Sequence, residues 1–458
     1  MKMKFIQLLF FVSLLAACGD DENKSLDVPV TPPDAEKNPV ENENKVEISN
    51  ASFEDGLDGW ERVEYANGAK TTLEVVDGEG VNNSKALKIQ QLPENGICSV
   101  GVKRTLKGLV PDEMYRMTAR IRYSDIPENQ GTGPVLFRPN EKQYWNSSRY
   151  LYGTNLKNWT TVTVDFMSDD NGEAEIVAAL GFWQGGLPNK GRSTGTAYFD
   201  NISVVKVTNE LDCLESEHIR LFIDPNKIKI STSVLRQWLE EMDKVYESYA
   251  ELMGSKPHEG RKLAIQTTTG MYSGYWAVAG YPIVWNGNNT IVEDALAQIE
   301  QYDDWCFGLM HEMGHVFNIG DSRWNWNDEM FANFRMHYAL AQNNGKVYMD
   351  GRDGKQVYTG GEILDMYKID YEKTIGTKVN DNGIHYMLAR MADDITWEPY
   401  KKTFDWLRRH GYSGSTNYGR FENFVNTLDK YAKEANPDIN LWDKFTELEI
   451  SSIKEQLK

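Results

Sequence analysis

The sequence predicts a two-part fold, an all-β sandwich followed by an α+β domain rich in helices. Two patterns and one motif carry that expectation. From Val46 to Thr208, short runs that often alternate in polarity are separated by Gly, Asn, Asp and Pro clusters, the mark of strands joined by turns. From about Leu211 the apolar spacing becomes helical. His311 and His315, four residues apart, fall within that helical region.

Ahead of both parts, Lys2 and Lys4 form a basic segment before an apolar stretch, Phe5 to Leu15, that is too short to span a bilayer. It ends in Leu15-Ala16-Ala17-Cys18, which resembles a bacterial lipoprotein cleavage box. The resemblance marks residues 1–18 as a signal segment and implies that Cys18 becomes the lipid-modified first residue. Gly19-Asp20-Asp21-Glu22 resembles the surface-export signals of Bacteroidetes lipoproteins, so the expected place is the cell surface, anchored by lipid in the outer membrane. Residues 19–45 are rich in Asp, Glu, Asn and Pro. They cannot bury enough apolar surface to offset the entropy of ordering, and read as a solvated tether.

With 458 residues, the chain has room for two or three domains. A hydrophobic content of 40% is enough for real cores. The net charge of −19 argues against nucleic acid and against a basic membrane-binding surface. Cys98, Cys213 and Cys306 have unrelated spacings and outline neither a disulfide framework nor a cysteine metal site.

In the sandwich region, 46–208, the clearest strands are Ala86–Ile89, Tyr115–Ile121, Thr160–Val164 and Ile202–Val205. Asn50-Ala51-Ser52-Phe53-Glu54 with Gly59-Trp60 opens the region, and Ala197-Tyr198-Phe199-Asp200-Asn201-Ile202 closes it. The pair resembles jelly-roll carbohydrate-binding modules of the CenC type. That resemblance implies glycan binding and a structural calcium, with Glu54 and Asp200 as oxygen ligands suited to a hard ion. Tyr144, Trp145, Tyr150, Tyr152 and Trp183 are the aromatic candidates for packing on sugar faces, whereas Trp60 is expected in the core.

In the second region, 211–458, Val234 to Met253 has helical apolar spacing, and Leu263–Gln266 and Tyr281–Trp285 look like strands. Further helices are expected at Asp405–Gly411 and Arg420–Ala435. The segment Cys306 to Asn318 reads CFGLMHEMGHVFN. On a helix, His311 and His315 project from one face a turn apart, with Glu312 beside them. Two neutral imidazoles can bind zinc while the carboxylate takes a proton from water. A catalytic zinc needs a third protein ligand, and two residues compete for the place. Asp321 lies where the metzincin spacing would put one. Glu329 lies on a second predicted helix, Asn327–Asn333, where Asn333 follows one turn later and can hold a ligand histidine by its second nitrogen. The lack of a downstream Met-turn favours Glu329.

His311-Glu312-Met313-Gly314-His315-Val316-Phe317-Asn318, then Trp324, Glu329, Asn333 and Tyr338, resembles the enhancin-like gluzincins, which include bacterial mucin-degrading peptidases. Ser273-Gly274-Tyr275, Gly280-Tyr281-Pro282-Ile283, Tyr386-Met387-Leu388 and Trp397-x-x-Tyr400 extend the likeness over about 215–430. Asn318 departs from it, since relatives usually carry Gln there. The resemblance implies a zincin-like α+β fold and one zinc on His311, His315 and Glu329, with Glu312 as general base. It also implies O-glycosylated protein substrates. Trp324, Trp326 and Tyr281 are the candidates for substrate or glycan contact, and His385 or Tyr386 for stabilising the oxyanion. Two rival functions remain open on sequence grounds. One is a non-catalytic glycan-binding adhesin, and the other is a metzincin-like general protease using Asp321.

Overall fold

The structure, a computed structural model, describes residues 44–127, 131–139, 147–151, 153, 155–182, 188–207, 211–268, 275–288, 290–318, 323–349 and 356–458. Cys18 with the leader and most of the tether, Tyr144, Trp145, Tyr152, Trp183, Ser273, Gly274 and Asp321 lie outside the described residues. Among the described residues no helix is long and apolar enough to cross a membrane.

Ten strands form the first unit: β1 (Lys45–Val46), β2 (Glu61–Ala66), β3 (Thr72–Val76), β4 (Ala86–Gln91), β5 (Ser99–Leu106), β6 (Met114–Ser124), β7 (Pro134–Phe137), β8 (Leu156–Met167), β9 (Ala174–Leu180) and β10 (Gly195–Lys206). One sheet runs β3-β4-β10-β6-β8 with β1 added on β10, and the other runs β2-β5-β9-β7. Every pairing is antiparallel. The alternation legible in the sequence is the reason for the sandwich. Tyr115, Met117, Ala119 and Ile121 of β6 all point inward, because successive side chains on a strand face opposite ways. They meet Val100 and Val102 of β5 and Ile176 and Ala178 of β9 from the facing sheet. Trp60 is buried as expected, against Phe53, with its indole N–H donating to the Asn50 carbonyl at 3.0 Å.

The second unit begins with strands, not with a helix as the spacing after Leu211 suggested. β11 (Asp212–Glu215) and β12 (Ile219–Ile223) precede α1 (Thr232–Met253). Ile219-Arg220-Leu221-Phe222-Ile223 is an apolar strand with neighbours on both sides, and so short a run carries no period that separates it from helix. β13 (Leu263–Thr268), β14 (Ala277–Val278) and β15 (Ile283–Asn286) complete a sheet of order β11-β12-β13-β15-β14. β12, β13 and β15 are parallel, and β14 is an antiparallel edge strand. Helix α1 crosses between β12 and β13 and is capped by the Ser231 hydroxyl, which accepts from the Val234 N–H. Leu235, Trp238, Leu239, Met242, Val245, Tyr249 and Leu252, the residues that predicted it, are all buried.

After the sheet come α2 (Ile291–Tyr302), α3 (Phe307–Val316) and α4 (Asp328–Asn343). The hairpin β16 (Lys346–Tyr348) and β17 (Val357–Thr359) follows, and then α5 (Gly360–Thr374), α6 (Asp381–Ala389), α7 (Ala392–Ile395), α8 (Glu398–His410), α9 (Asn417–Ala435) and α10 (Glu447–Gln456). The architecture is thus a β-sandwich followed by a mixed sheet and a helical layer.

The two units are packed together. Met114, Met167 and Val207 of the sandwich side cluster with Leu211, Phe222 and Ala264. Around this patch Arg220 donates to Glu113 Oε1 (3.0 Å), Arg261 to Asp112 Oδ1 (3.1 Å), and buried Gln266 to the Asp165 carbonyl (2.6 Å). Tyr281 belongs to this junction. Its hydroxyl donates to the Lys262 carbonyl at 3.2 Å, and the Arg261 guanidinium lies 4.8 Å over its ring. The expected substrate contact by Tyr281 is therefore replaced by a packing role.

Asp304, buried just before α3, ties that helix to β16. Its Oδ1 accepts from the Cys306 N–H (2.9 Å) and the Tyr348 N–H (2.8 Å). Burial pushes its carboxyl up to about 7 against the pull of those donors. The folded chain then keeps a proton that an unfolded aspartate releases near pH 4. This group's contribution to stability therefore falls as pH rises from about 4 through about 7. Asp304→Asn keeps both N–H bonds through Oδ1 and removes the titration. Thermal denaturation is expected to show a shallower decline in Tm for the variant than for wild type across that window. Parallel curves would contradict the assignment.

Candidate metal centre

Helix α3 carries His311 and His315 on one face because they are one turn apart, and α4 brings Glu329 to the same point. The three donor atoms form a compact triangle. His311 Nε2 lies 3.0 Å from His315 Nε2 and 3.0 Å from Glu329 Oε2, and His315 Nε2 lies 3.4 Å from Glu329 Oε2. Zinc–ligand bonds of about 2.0–2.1 Å give a tetrahedral edge of about 3.3 Å, so the triangle has the size of one tetrahedral face. The described residues hold this one group of three or more His, Cys, Asp or Glu arranged to bind a metal.

The far nitrogens decide what occupies the middle. His311 Nδ1 is 2.8 Å from Asn333 Oδ1, and His315 Nδ1 is 2.8 Å from Asp328 Oδ2. Both partners are acceptors, so both Nδ1 atoms carry protons, and each ring in its neutral form turns an Nε2 lone pair toward the other histidine and the Glu329 carboxylate. Such a set of lone pairs calls for a cation. Metal-free, the same geometry draws a proton. Burial works against a charge on His315, yet Asp328, Glu329 and Glu312 outweigh it and push its pKa up to about 10. Burial likewise disfavours the Glu329 carboxylate, but the two imidazoles hold its carboxyl well below the usual range. The Glu329 side chain keeps 51% of its exposure, leaving one side of the triangle open as a catalytic rather than a structural site requires.

Asn333, nominated as a partner for one of the two histidines, lies against His311. Asp328 takes the corresponding place on His315. Asn327 is the cap, its side chain accepting from the Met330 N–H at 3.0 Å, which frees Asp328 to hold His315. Asn318, the departure from the family pattern, donates to Asp328 Oδ1 at 2.7 Å, and Asn325 does so at 3.0 Å. Gly314 has a packing reason. A Cβ there would come within 2.8 Å of the Ala332 carbonyl oxygen, so only glycine lets α3 and α4 approach closely enough to bring Glu329 to the histidines.

Glu312 is half-buried beside the triangle. Burial raises its pKa, the two histidines lower it, Glu329 raises it again, and the Ala279 N–H donates to it; the net shift is upward. Ala279 directly follows the edge strand β14, so Glu312 lies between the donor triangle and that edge.

The structure does not bring the remaining candidates to this point. Trp324 is 1% exposed, packed edge-on against Phe331 and Phe404, and Trp326 is buried against Phe331, Phe421 and Phe424. Both are core residues, and neither presents a face to a sugar. His385 is fully buried among Phe334, His337 and Tyr367, with Nε2 3.4 Å from His337 Nδ1. Burial holds it well below its ordinary pKa, and the neighbouring His337 adds to this. Tyr386 packs on Tyr371 and beneath the Arg390 guanidinium. Both side chains are engaged in packing within the helical layer.

In the sandwich, Asp200 is buried with its oxygens already engaged. Oδ2 accepts from the Val81 N–H (2.7 Å) and the Ser84 hydroxyl (3.2 Å), and Oδ1 accepts from the Asn201 N–H (2.6 Å). Glu54 Oε1 accepts from the Lys85 N–H at 3.0 Å. Burial raises the Asp200 carboxyl, its donors oppose this, and Glu54 adds to the rise. The two acids pin the loop before β4, and no third His, Cys, Asp or Glu joins them among the described residues.

No protein-family model matches the chain, and no curated protein does. Among solved structures, the TmCBM61 module in complex with β-1,4-galactotriose matches at 13% identity, covering 35% of this chain and 97% of its own, with a TM-score of 0.25. The CBM22-2 xylan-binding domain of Xyn10C from Paenibacillus barcinonensis matches at 18% identity, covering 34% of this chain and 98% of its own, with a TM-score of 0.24. A mutant of a functionally unknown conserved protein from Bacillus anthracis str. Ames matches at 12% identity, covering 76% of this chain and 71% of its own, with a TM-score of 0.40. At such distances the chemistry of the site rests on this chain's own residues.

Proposed function

We propose that this chain is a zinc-dependent endopeptidase of the cell surface, held by a lipid on Cys18 and acting on O-glycosylated proteins. The observation that carries the zinc reading is the triangle of His311 Nε2, His315 Nε2 and Glu329 Oε2, each histidine fixed by an acceptor at its other nitrogen. His311, His315 and Glu329 would hold the ion, which when bound supplies Lewis acidity. Glu312 is the general base: it takes a proton from the attacking water and later delivers it to the leaving amine nitrogen. Its upward-shifted pKa suits it to both transfers. Among the described residues β14 is the edge strand of its sheet, and an extended peptide pairing there as an added strand would lay a scissile bond past Glu312 and the triangle.

The glycoprotein part of the proposal rests on the resemblance of the metal segment to mucin-degrading peptidases and on the sandwich attached to it. A calcium at Glu54 and Asp200 belongs to the same resemblance. Purified protein is expected to fragment an O-glycosylated mucin, to leave its deglycosylated form largely intact, and to stop on chelation. Chelator-insensitive cleavage would contradict the metal reading. Equal cleavage of both forms would remove the glycan requirement and leave a general metallopeptidase.

A further inference from the structure

Arg335 is a fully buried charge in the helix that supplies Glu329 and Asn333. Its Nη1 donates to the Gly314 carbonyl at 2.9 Å, and its Nε points at Met253 Sδ, 3.2 Å away. Nη2 is buried with no hydrogen-bond partner among the described residues. Burial pulls its pKa down to about 10 against the opposing pull of Asp328, as expected of a cation taken out of water. A core of this composition would be served as well or better by an apolar side chain, so the charge calls for a reason.

Two features supply one. Helix α3 ends beside the ligands, and the last carbonyls of a helix need outside donors. The Asn318 N–H, which would reach Gly314 in a continuing helix, bonds to the His315 carbonyl instead at 2.9 Å. Arg335 fills that place with a cation at the negative end of the helix dipole. The site also gathers three carboxylates, Glu312, Glu329 and Asp328, around two neutral imidazoles. A divalent ion leaves one negative charge unbalanced, and Arg335 brings the local sum to zero.

We propose that Arg335 is a positioning residue of the metal centre, capping the metal helix at Gly314 from within the core and balancing the carboxylates that hold the histidines. This rests on the zinc reading above. It acts through Gly314 and Asp328, not by touching substrate.

The test compares wild type, Arg335→Met and Arg335→Lys in the full chain, by competition titration with zinc, Co²⁺ absorption spectra, and melting of the metal-free protein. Arg335→Met is expected to weaken zinc about 10–100-fold and to alter the Co²⁺ spectrum, while the metal-free Tm stays level or rises. Arg335→Lys, which keeps the charge and one donor, should recover most of the affinity. Unchanged zinc affinity in Arg335→Met overturns the proposal. So does an Arg335→Met chain that fails to fold without metal, because the guanidinium would then serve the core itself. If wild type binds no zinc, the metal reading fails instead, and the two failures are distinct.

Discussion

Glu312→Gln is expected to lose cleavage by about 10²–10⁴-fold while still binding one zinc per chain. The reason is a division of labour within one helix. His311 and His315 face Glu329 across the triangle, whereas Glu312 contributes no atom to it and is held from the other side by the Ala279 N–H. Glutamine keeps the shape and still accepts that hydrogen bond, but it cannot take a proton from water. The measurement is single-turnover cleavage of a mucin-type glycoprotein alongside metal analysis of the same sample. Activity within a few-fold of wild type would remove Glu312 from the chemistry. Loss of zinc in this variant would make it a ligand and break the division of labour.

The second large effect is on stability. Trp324→Ala is expected to cost about 3–5 kcal/mol, the usual range for removing a large aromatic from a packed core. Trp324 meets Phe331 at 4.9 Å and Phe404 at 5.6 Å between ring centroids, and these rings continue into Phe334 and Phe424. The loss should appear as a lower denaturation midpoint, with cleavage of glycosylated and bare peptides falling together. A stable Trp324→Ala protein that loses only the glycosylated substrate would restore the sugar-contact role that the sequence suggested.

That contrast shows where sequence reasoning reaches and where it stops. The histidine pair was legible because a spacing of four has one meaning on a helix, and the face it defines leaves Glu312 outside the donor set. Glu329 and Asn333 were legible for the same reason, being one turn apart on a helix whose start was marked by Asn327. Asp328 was not, because an acid in a first helical turn usually serves the helix dipole. Only the position of α4 against α3 shows it aimed at His315. Trp324, Trp326 and His385 could only be nominated from sequence, because nearness in sequence or a polar ring says nothing about which face turns inward. His385 is neutralised by burial beside His337, a pairing across two helices that no local pattern encodes. In the sandwich, the period of two gave the strands and the inward faces, while the engagement of Asp200 with the loop at Val81 and Ser84 depends on contacts more than a hundred residues apart.

Arg335 and Gly314 were invisible for a related reason. A glycine within a metal motif and an arginine within a helix are ordinary residues until the helices are seen to touch. Gly314 then explains how Glu329 reaches the histidines, and Arg335 how the end of the metal helix is satisfied in the core.

The central claim is that His311, His315 and Glu329 form a metal centre, and metal content tests it most directly. Folded full-length protein, equilibrated with zinc and freed of loosely bound ions, should contain about one zinc per chain. Glu329→Ala prepared in parallel should contain far less. Folded wild-type protein without stoichiometric metal would contradict the claim, as would a Glu329→Ala variant that keeps a full equivalent.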